Sequence, residues 1–434
     1  MAPKPNILYI HSHDSGRYIQ PYGHAIPTPN MQRLAEEGTL FRRAYCAAPT
    51  CSASRASLLT GQCPHSNGMN GLTHRGFELN DYSHHILHTL RKAGYTSTLC
   101  GVQHIANETA RIGYDTVLRL PKDDSETRGA VAAKFLRSAP AEPFFLSVGF
   151  VDTHRSYHEP GPGEDERYAM PPAPLPDTPV TRHEMACYKA SARLYDAGVG
   201  DVLEALEETG LAANTLVINT TDHGIEFPNM KCTLFDHGIG VMLIMRGPGG
   251  FTGGKVCDAL TSQIDIFPTV CDLLGIDAPD WLEGKSLMPV IRGEADEVND
   301  EIFAEVTYHA AYEPQRAVRT ERWKYVKRYG DWKTPVLPNC GDSPSKTLWM
   351  EHGWAHHTID SEQLYDLVFD PCETHNVADD PALNEVLCDM RRRLSDWMKR
   401  TNDPLRTGYF PAPSGAKINR ADGVSPREEA FTVE

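Results

Sequence analysis

Short apolar runs rich in β-branched and aromatic residues alternate along this chain with stretches of helical periodicity, and that alternation narrows the fold more than any other feature. The runs are NILYIHS (6–12), TSTLCG (96–101), PFFLSVGF (143–150), NTLVINTTDHG (214–224) and GVMLIMRG (240–247). Between the first two, TPNMQRLAEEG (28–38) has Thr28 or Asn30 as a cap, Met31, Leu34 and Ala35 on one face, and Gly38 as a stop. Segments 84–94, 182–210 and 262–275 carry the same helical pattern. Strands that alternate with amphipathic helices predict an α/β fold: a large mixed, mostly parallel sheet sandwiched by helices.

Beyond about residue 300 the texture changes. EIFAEVTY (301–308), RAVRT (316–320) and WKYVKRY (323–329) read as adjacent strands of a smaller antiparallel sheet, and NEVLCDMRRRLSDWMKR (384–400) as a helix packed on it. Two units are expected: a catalytic α/β domain over 1–300 and a C-terminal α+β subdomain over 301–434. Segments 157–180 and 330–362 are rich in Pro, Gly and charge, and read as long loops that wall a ligand site. The polar tail 404–434 is expected to wrap the surface.

With 434 residues the chain can bury a sizeable core. Its 58 acidic and 42 basic residues leave a net charge of −16, which makes nucleic acid a poor partner but leaves room for a locally basic pocket. MAPKPNILYIHSHD has no basic segment followed by an apolar stretch and cleavage site, and no run approaches the ~20 apolar residues of a membrane helix. A soluble, cytoplasmic protein without membrane contact is therefore expected. The eleven cysteines are scattered, odd in number and without a CxxC pair, so reduced thiols are expected rather than a disulfide framework or a structural zinc site.

The chemistry gathers where the predicted strands end. His11, His13 and Asp14 follow the first run; His104 follows TLCG; Asp152 and His154 follow FFLSVGF; Asp222 and His223 follow TLVINTT. Ligands of open α/β sheets bind beyond the carboxyl ends of the strands. If these strands are neighbours, metal ligands and acid–base groups converge on one edge. Asp14, Asp222 and His223 make a divalent-metal set, the imidazole favouring borderline metals such as manganese, iron or zinc over calcium. His13 is the weaker ligand candidate, because neighbours on an extended segment point to opposite sides. His65, His74, His84, His85 and His88 read as helix or loop histidines without a role.

CSASRASLLTG (51–61) runs into a short helix stopped by Gly61. Cys51 and Arg55, one turn apart at a helix N-terminus, stand where an anion is received. The segment resembles the C-x-P-x-R signature of the type I sulfatases of the alkaline phosphatase superfamily, whose cysteine becomes Cα-formylglycine. PNILYI…HD, TPNMQRLAEEGTLFRRAY, TLVINTTDHG, KCTLFDHG and QLYDLVFDPCETHNVA extend the resemblance over nearly the whole chain. HSNGMNGL and FVDTHR look most like the heparan N-sulfatase branch.

The resemblance implies a sulfatase acting on a sulfate ester or sulfamate, on a sugar such as N-sulfoglucosamine. It implies one divalent metal ion, calcium or manganese, held by Asp14, Asp222, His223, His13 and the converted Cys51. It also implies a formylglycine-generating maturation enzyme, a small anionic substrate and a homodimer. The aldehyde at 51 hydrates, one hydroxyl attacks sulfur, and the second expels sulfate. Arg55 and Lys231 then neutralise the sulfuryl oxygens, His154 protonates the leaving atom and His104 holds or deprotonates the diol. Ala53 stands where most members have proline, which points to radical maturation. Val102 replaces a sulfate-contacting lysine, so Arg17 or Arg155 would complete the pocket, with His309, Glu305, Tyr308 and Arg316 reaching in from the second domain. His13 stands for a common aspartate and His223 for an asparagine, a pattern that resembles the phosphonate monoester hydrolases. A phosphonate monoester or phosphodiester hydrolase is therefore the alternative enzyme, and a binding protein with an unconverted Cys51 thiol is the alternative outside enzymes.

Overall fold

The computed structural model describes residues 3–434, so the first two residues of the N-terminal segment read for a targeting signal lie outside it. Its main sheet has eight strands in the spatial order 116–117, 96–101, 144–149, 6–11, 215–220, 243–246, 39–41, 255–257. The central strands Thr96–Gly101, Phe144–Gly149, Asn6–His11 and Thr215–Thr220 are mutually parallel. Their register places Gly101 opposite Gly149, and His11 opposite both Gly149 and Thr220, so the carboxyl ends finish level. The first strand lies between two strands that follow it by more than a hundred residues, and the loops leaving these neighbours share one crevice.

Alternation sorts the first strand between two cores. Ile7 and Tyr9 pack with Phe145, Leu216, Leu58, Leu59 and Phe267 on one face. Leu8 and Ile10 pack with Leu146, Val217, Leu34, Leu136, Val199 and Leu203 on the other. A strand buried on both faces has no polar side to show, which is why its sequence reads as an unbroken apolar run. Helix Pro179–Glu208 starts at a capping box in which Thr178 Oγ1 accepts the Thr181 N–H, with Pro179 preset for the first turn. Helix Ser125–Arg137, capped by Asp124, packs along it; its pattern escapes the sequence reading.

The second sheet is antiparallel, in the order 302–308, 312–319, 323–328, 362–366. Helix Asn384–Arg400 covers it through Leu387, Met390, Leu394 and Trp397, which meet Val318, Tyr325 and Leu364. Segment 330–362 is more than a loop: Ser343 caps a helix over Pro344–Glu351, accepting the Lys346 N–H with Pro344 in the first turn. The tail packs down, with Ala416, Ile418 and Asn419 buried. Among the described residues no helix is long and apolar enough to cross a membrane. The cysteines are all unpaired thiols.

Candidate active site

Helix Cys51–Thr60 is buried along its whole length, which an ordinary amphipathic helix would not tolerate. Small side chains make this workable. Ser54 Oγ donates to the Asp222 carbonyl (2.6 Å), Ser52 Oγ accepts the Thr73 N–H (3.1 Å) and Thr60 Oγ1 donates to the Ala56 carbonyl (2.7 Å), so three of its buried hydroxyls are satisfied, while Ser57 Oγ has no partner. Gly61 ends the helix at φ 68°, in the left-handed region where glycine is favoured. Cys51 is thereby held at the level strand ends.

Asp14 and Asp222 approach it from neighbouring strands. Ligand atoms of His13, Asp14, Cys51 and Asp222 all lie within 4.8 Å of one another. His223 Nε2 lies 3.3 Å from Asp14 Oδ1 and 3.3 Å from Cys51 Sγ; His13 Nδ1 lies 3.1 Å from Asp222 Oδ2. The strand ends at His11, and Asp14 takes a left-handed φ of 52°, so β alternation no longer governs this segment and His13 turns inward beside Asp14. His104, also left-handed at φ 54°, borders the sulfur together with His309. Two such outliers in one site fit the tendency of functional residues to occupy sparse backbone regions.

The charges are closely coupled. Burial opposes ionisation of Asp14 and Asp222, yet Lys231 and His223 hold Asp14, and His223 and Arg55 hold Asp222, well below the usual carboxylate range. Burial and Arg55 work against a proton on His13, but Asp222 and Asp14 push it up to about 10; His223, likewise buried between the two acids, rises to about 9. Burial would raise the Cys51 thiol, but Lys231 and His223 bring it well below its usual value. Protons on the imidazoles thus balance the acids. Asp14 Oδ1 and His13 Nδ1 are buried 3.5 Å apart, and their contacts with each other, with His223 and with Asp222 are ion pairs without hydrogen-bond geometry. Open ligand atoms inside an otherwise satisfied set of two carboxylates and two imidazoles fit a divalent cation.

Other expected residues face elsewhere. Arg55 Nη2 donates to Asp222 Oδ2 (2.9 Å) and the Ser12 carbonyl (2.8 Å), and its other terminal nitrogen bonds His11 Nδ1. Its contacts hold the Asp222 carboxylate and the Ser12 carbonyl. Arg17 lies outside the pocket: it donates to the Ala44 carbonyl and stacks 4.4 Å over Tyr45. Arg155 is clamped by Glu184 and by the Glu226 carbonyl instead of facing substrate. Glu305 and Arg316 are buried in an ion network with His65 and Asp403, and Tyr308 is buried under the tail, so only His309 of that group reaches the site. Lys231 does arrive, 2.8 Å from Asp14 Oδ2.

The site also contains residues the sequence reading leaves aside. His74 Nδ1 lies 3.2 Å from His104 Nε2, with the two rings nearly parallel. Glu226 stands 3.6 Å from Lys231 Nζ and 3.9 Å from His154 Nε2. Its one sequence signal is a carboxylate four residues beyond Asp222 in the same polar turn.

A buried cysteine and acids at the carboxyl edge of a mixed α/β sheet are the layout of a hydrolase that moves an anionic group. Residues 5–276 match the sulfatase family, and residues 227–347 match the C-terminal region described as N-sulphoglucosamine sulphohydrolase. The chain belongs to the sulfatase family. It is 30% identical to human N-sulphoglucosamine sulphohydrolase over 94% of this chain and 92% of that one. It is 26% identical to a Δ4,5-hexuronate-2-O-sulfatase of Bacteroides thetaiotaomicron over 93% of this chain and 91% of the relative. Among solved structures, one in complex with its substrate D-glucosamine-2-N,6-O-disulfate superposes with a TM-score of 0.73 at 19% identity, covering 92% of this chain and 99% of the other. A 2-O GAG sulfatase superposes at 0.71, with 22% identity and coverage of 94% and 95%. These two likenesses establish the fold.

Proposed function

We propose that this sulfatase hydrolyses the sulfamate or sulfate ester of a sugar such as N-sulfoglucosamine, using formylglycine made from Cys51 by a maturation enzyme. The observation that carries the reading is the convergence of Cys51, Asp14, Asp222 and His13 within 4.8 Å at the strand ends. The names of the human relative and of the glucosamine disulfate complex support the sugar.

Asp14, Asp222, His13 and His223 would hold one divalent cation, calcium or manganese, which supplies Lewis acidity when bound. Formylglycine supplies a hydrated carbonyl as nucleophile. Arg55 fixes Asp222 in its ligating position. Lys231 and His309 present positive charge and a hydrogen-bond donor to the sulfuryl oxygens. His104 takes the proton from the hydroxyl at residue 51. His154 binds the Arg155 carbonyl through Nδ1, which leaves Nε2 to protonate the departing atom.

A second reading has one observation in its favour. Imidazoles at 13 and 223 reduce the negative charge around the metal and suit a phosphonate monoester or phosphodiester hydrolase. Turnover of N-sulfoglucosamine, an aryl sulfate and a phosphonate monoester by one preparation separates the two. The mass of the peptide containing Cys51 is measured on that preparation. Sulfur replaced by oxygen with loss of two hydrogens, together with sulfate release, is expected; an intact thiol in an active preparation overturns the formylglycine reading.

A further inference from the structure

A carboxylate stands in a pocket that receives an anion. Glu226 Oε2 is buried and has no hydrogen-bond partner. Lys231 Nζ at 3.6 Å and His154 Nε2 at 3.9 Å balance its charge from beyond hydrogen-bond distance, and a buried acceptor without a hydrogen bond is costly, so its position needs a reason. The surrounding structure holds it there. Arg155 Nε donates to the Glu226 carbonyl (3.0 Å), Glu184 pairs with Arg155 (2.5 Å), and Tyr157 and Phe227 lie 4.5 and 5.0 Å from the guanidinium. Gly341 makes room for the side chain, since a Cβ there would stand 2.1 Å from Glu226 Oε1.

A second metal is a poor explanation. Asp14, His154 and Glu226 are close enough to share an ion, but the Lys231 ammonium already lies 2.8 Å from Asp14 and 3.6 Å from Glu226. The open oxygen instead calls for an N–H donor on the substrate, beside the acid that protonates the leaving atom.

We infer that Glu226 selects a nitrogen leaving group and commits this site to S–N cleavage; the inference rests on the sulfohydrolase reading above. A sulfamate nitrogen carries an N–H that Glu226 can accept. When the S–N bond breaks, its electron pair stays on nitrogen, which takes a proton from His154 Nε2 while sulfur bonds to the oxygen of residue 51. Overall, one sulfamate and one water give one ammonium and one sulfate. The departing amine gains donors as it forms, so its interaction with the carboxylate strengthens along the reaction. The bridging oxygen of a sulfate ester has only lone pairs to set against Glu226. Sites built to bond an N–H discriminate strongly against analogues that lack it.

The test compares kcat/KM for N-sulfoglucosamine and glucose 6-sulfate in metal-loaded, formylglycine-quantified wild type, Glu226→Gln and Gly341→Ala. Glu226→Gln keeps the shape, and is expected to lower the sulfamate value by about 10- to 100-fold and the glucose 6-sulfate value by much less. Gly341→Ala, which displaces the carboxylate without altering it, is expected to move the ratio the same way. Glucosamine is expected to inhibit wild type more strongly than glucose, and to lose that advantage in Glu226→Gln. A wild type that cleaves N-sulfoglucosamine, with both substrates falling equally in the variants, overturns the role of Glu226 alone. A wild type that cleaves neither sulfamate nor sulfate ester overturns the functional reading together with it.

Discussion

Arg55 Nη2 lies 2.9 Å from Asp222 Oδ2 and 2.8 Å from the Ser12 carbonyl oxygen, so one guanidinium ties the helix that carries Cys51 to two strand ends. Both partners are buried, and low dielectric surroundings strengthen the attraction between them. The helix that carries Cys51 is therefore fixed to Asp222.

Arg55→Lys keeps the charge but loses the planar fork that spans Asp222 and Ser12. Loss of such a supporting bond weakens metal binding by roughly 10- to 100-fold. The expected result is that drop in a metal titration, with unchanged far-ultraviolet circular dichroism; unchanged affinity refutes the clamp.

The proposed metal would compete with protons for the site. Against burial, the acids raise His13 to about 10 and His223 to about 9, above the ordinary imidazole value of 6.5. Without metal, the folded protein then holds protons that the unfolded chain releases. Their stabilisation is complete below about pH 6.5 and is lost as pH rises through 9 and 10. The metal-free Tm should fall across that window, and the metal-loaded Tm should fall less. Calcium or manganese binding near neutral pH should release protons, visible as a buffer-dependent heat in calorimetry. Heats independent of the buffer contradict this.

His154→Asn tests the proposed proton donor. General acid catalysis typically contributes about 10²- to 10⁴-fold, so kcat for a sugar sulfamate should fall by that order. An activated aryl sulfate, whose leaving group needs no proton, should be far less affected. Equal losses on both substrates argue that His154 merely supports the fold.

Buried charge ties the second sheet to Asp403 and to the helix Pro64–Asn67. His65 Nδ1 contacts Glu305 (2.7 Å), and Arg316 Nε contacts both Glu305 (2.9 Å) and Asp403 (2.5 Å). Arg316→Ala strands two buried carboxylates and should cost about 3–5 kcal/mol in chemical denaturation. A loss below 1 kcal/mol means that the network relaxes without it.

Much of this protein was legible before any coordinates. The central strands, the helix begun at Cys51 and stopped by Gly61, and the convergence of Asp14, Asp222, His223, His104 and His154 follow from apolar runs ending in polar clusters. That reading works because side-chain alternation, helical periodicity and capping act over a few residues. Helix 344–351 was hidden by its Pro- and charge-rich surroundings, although Ser343 and Pro344 mark its start.

Side-chain destinations were decided by tertiary structure. Arg17 turned to Ala44, Arg155 to Glu184, and Arg316 to Glu305 and Asp403, while Glu226 entered the pocket because Gly341 leaves it space. A buried charge settles where partners distant in the chain compensate its desolvation, and spacing along one sequence carries no record of those partners.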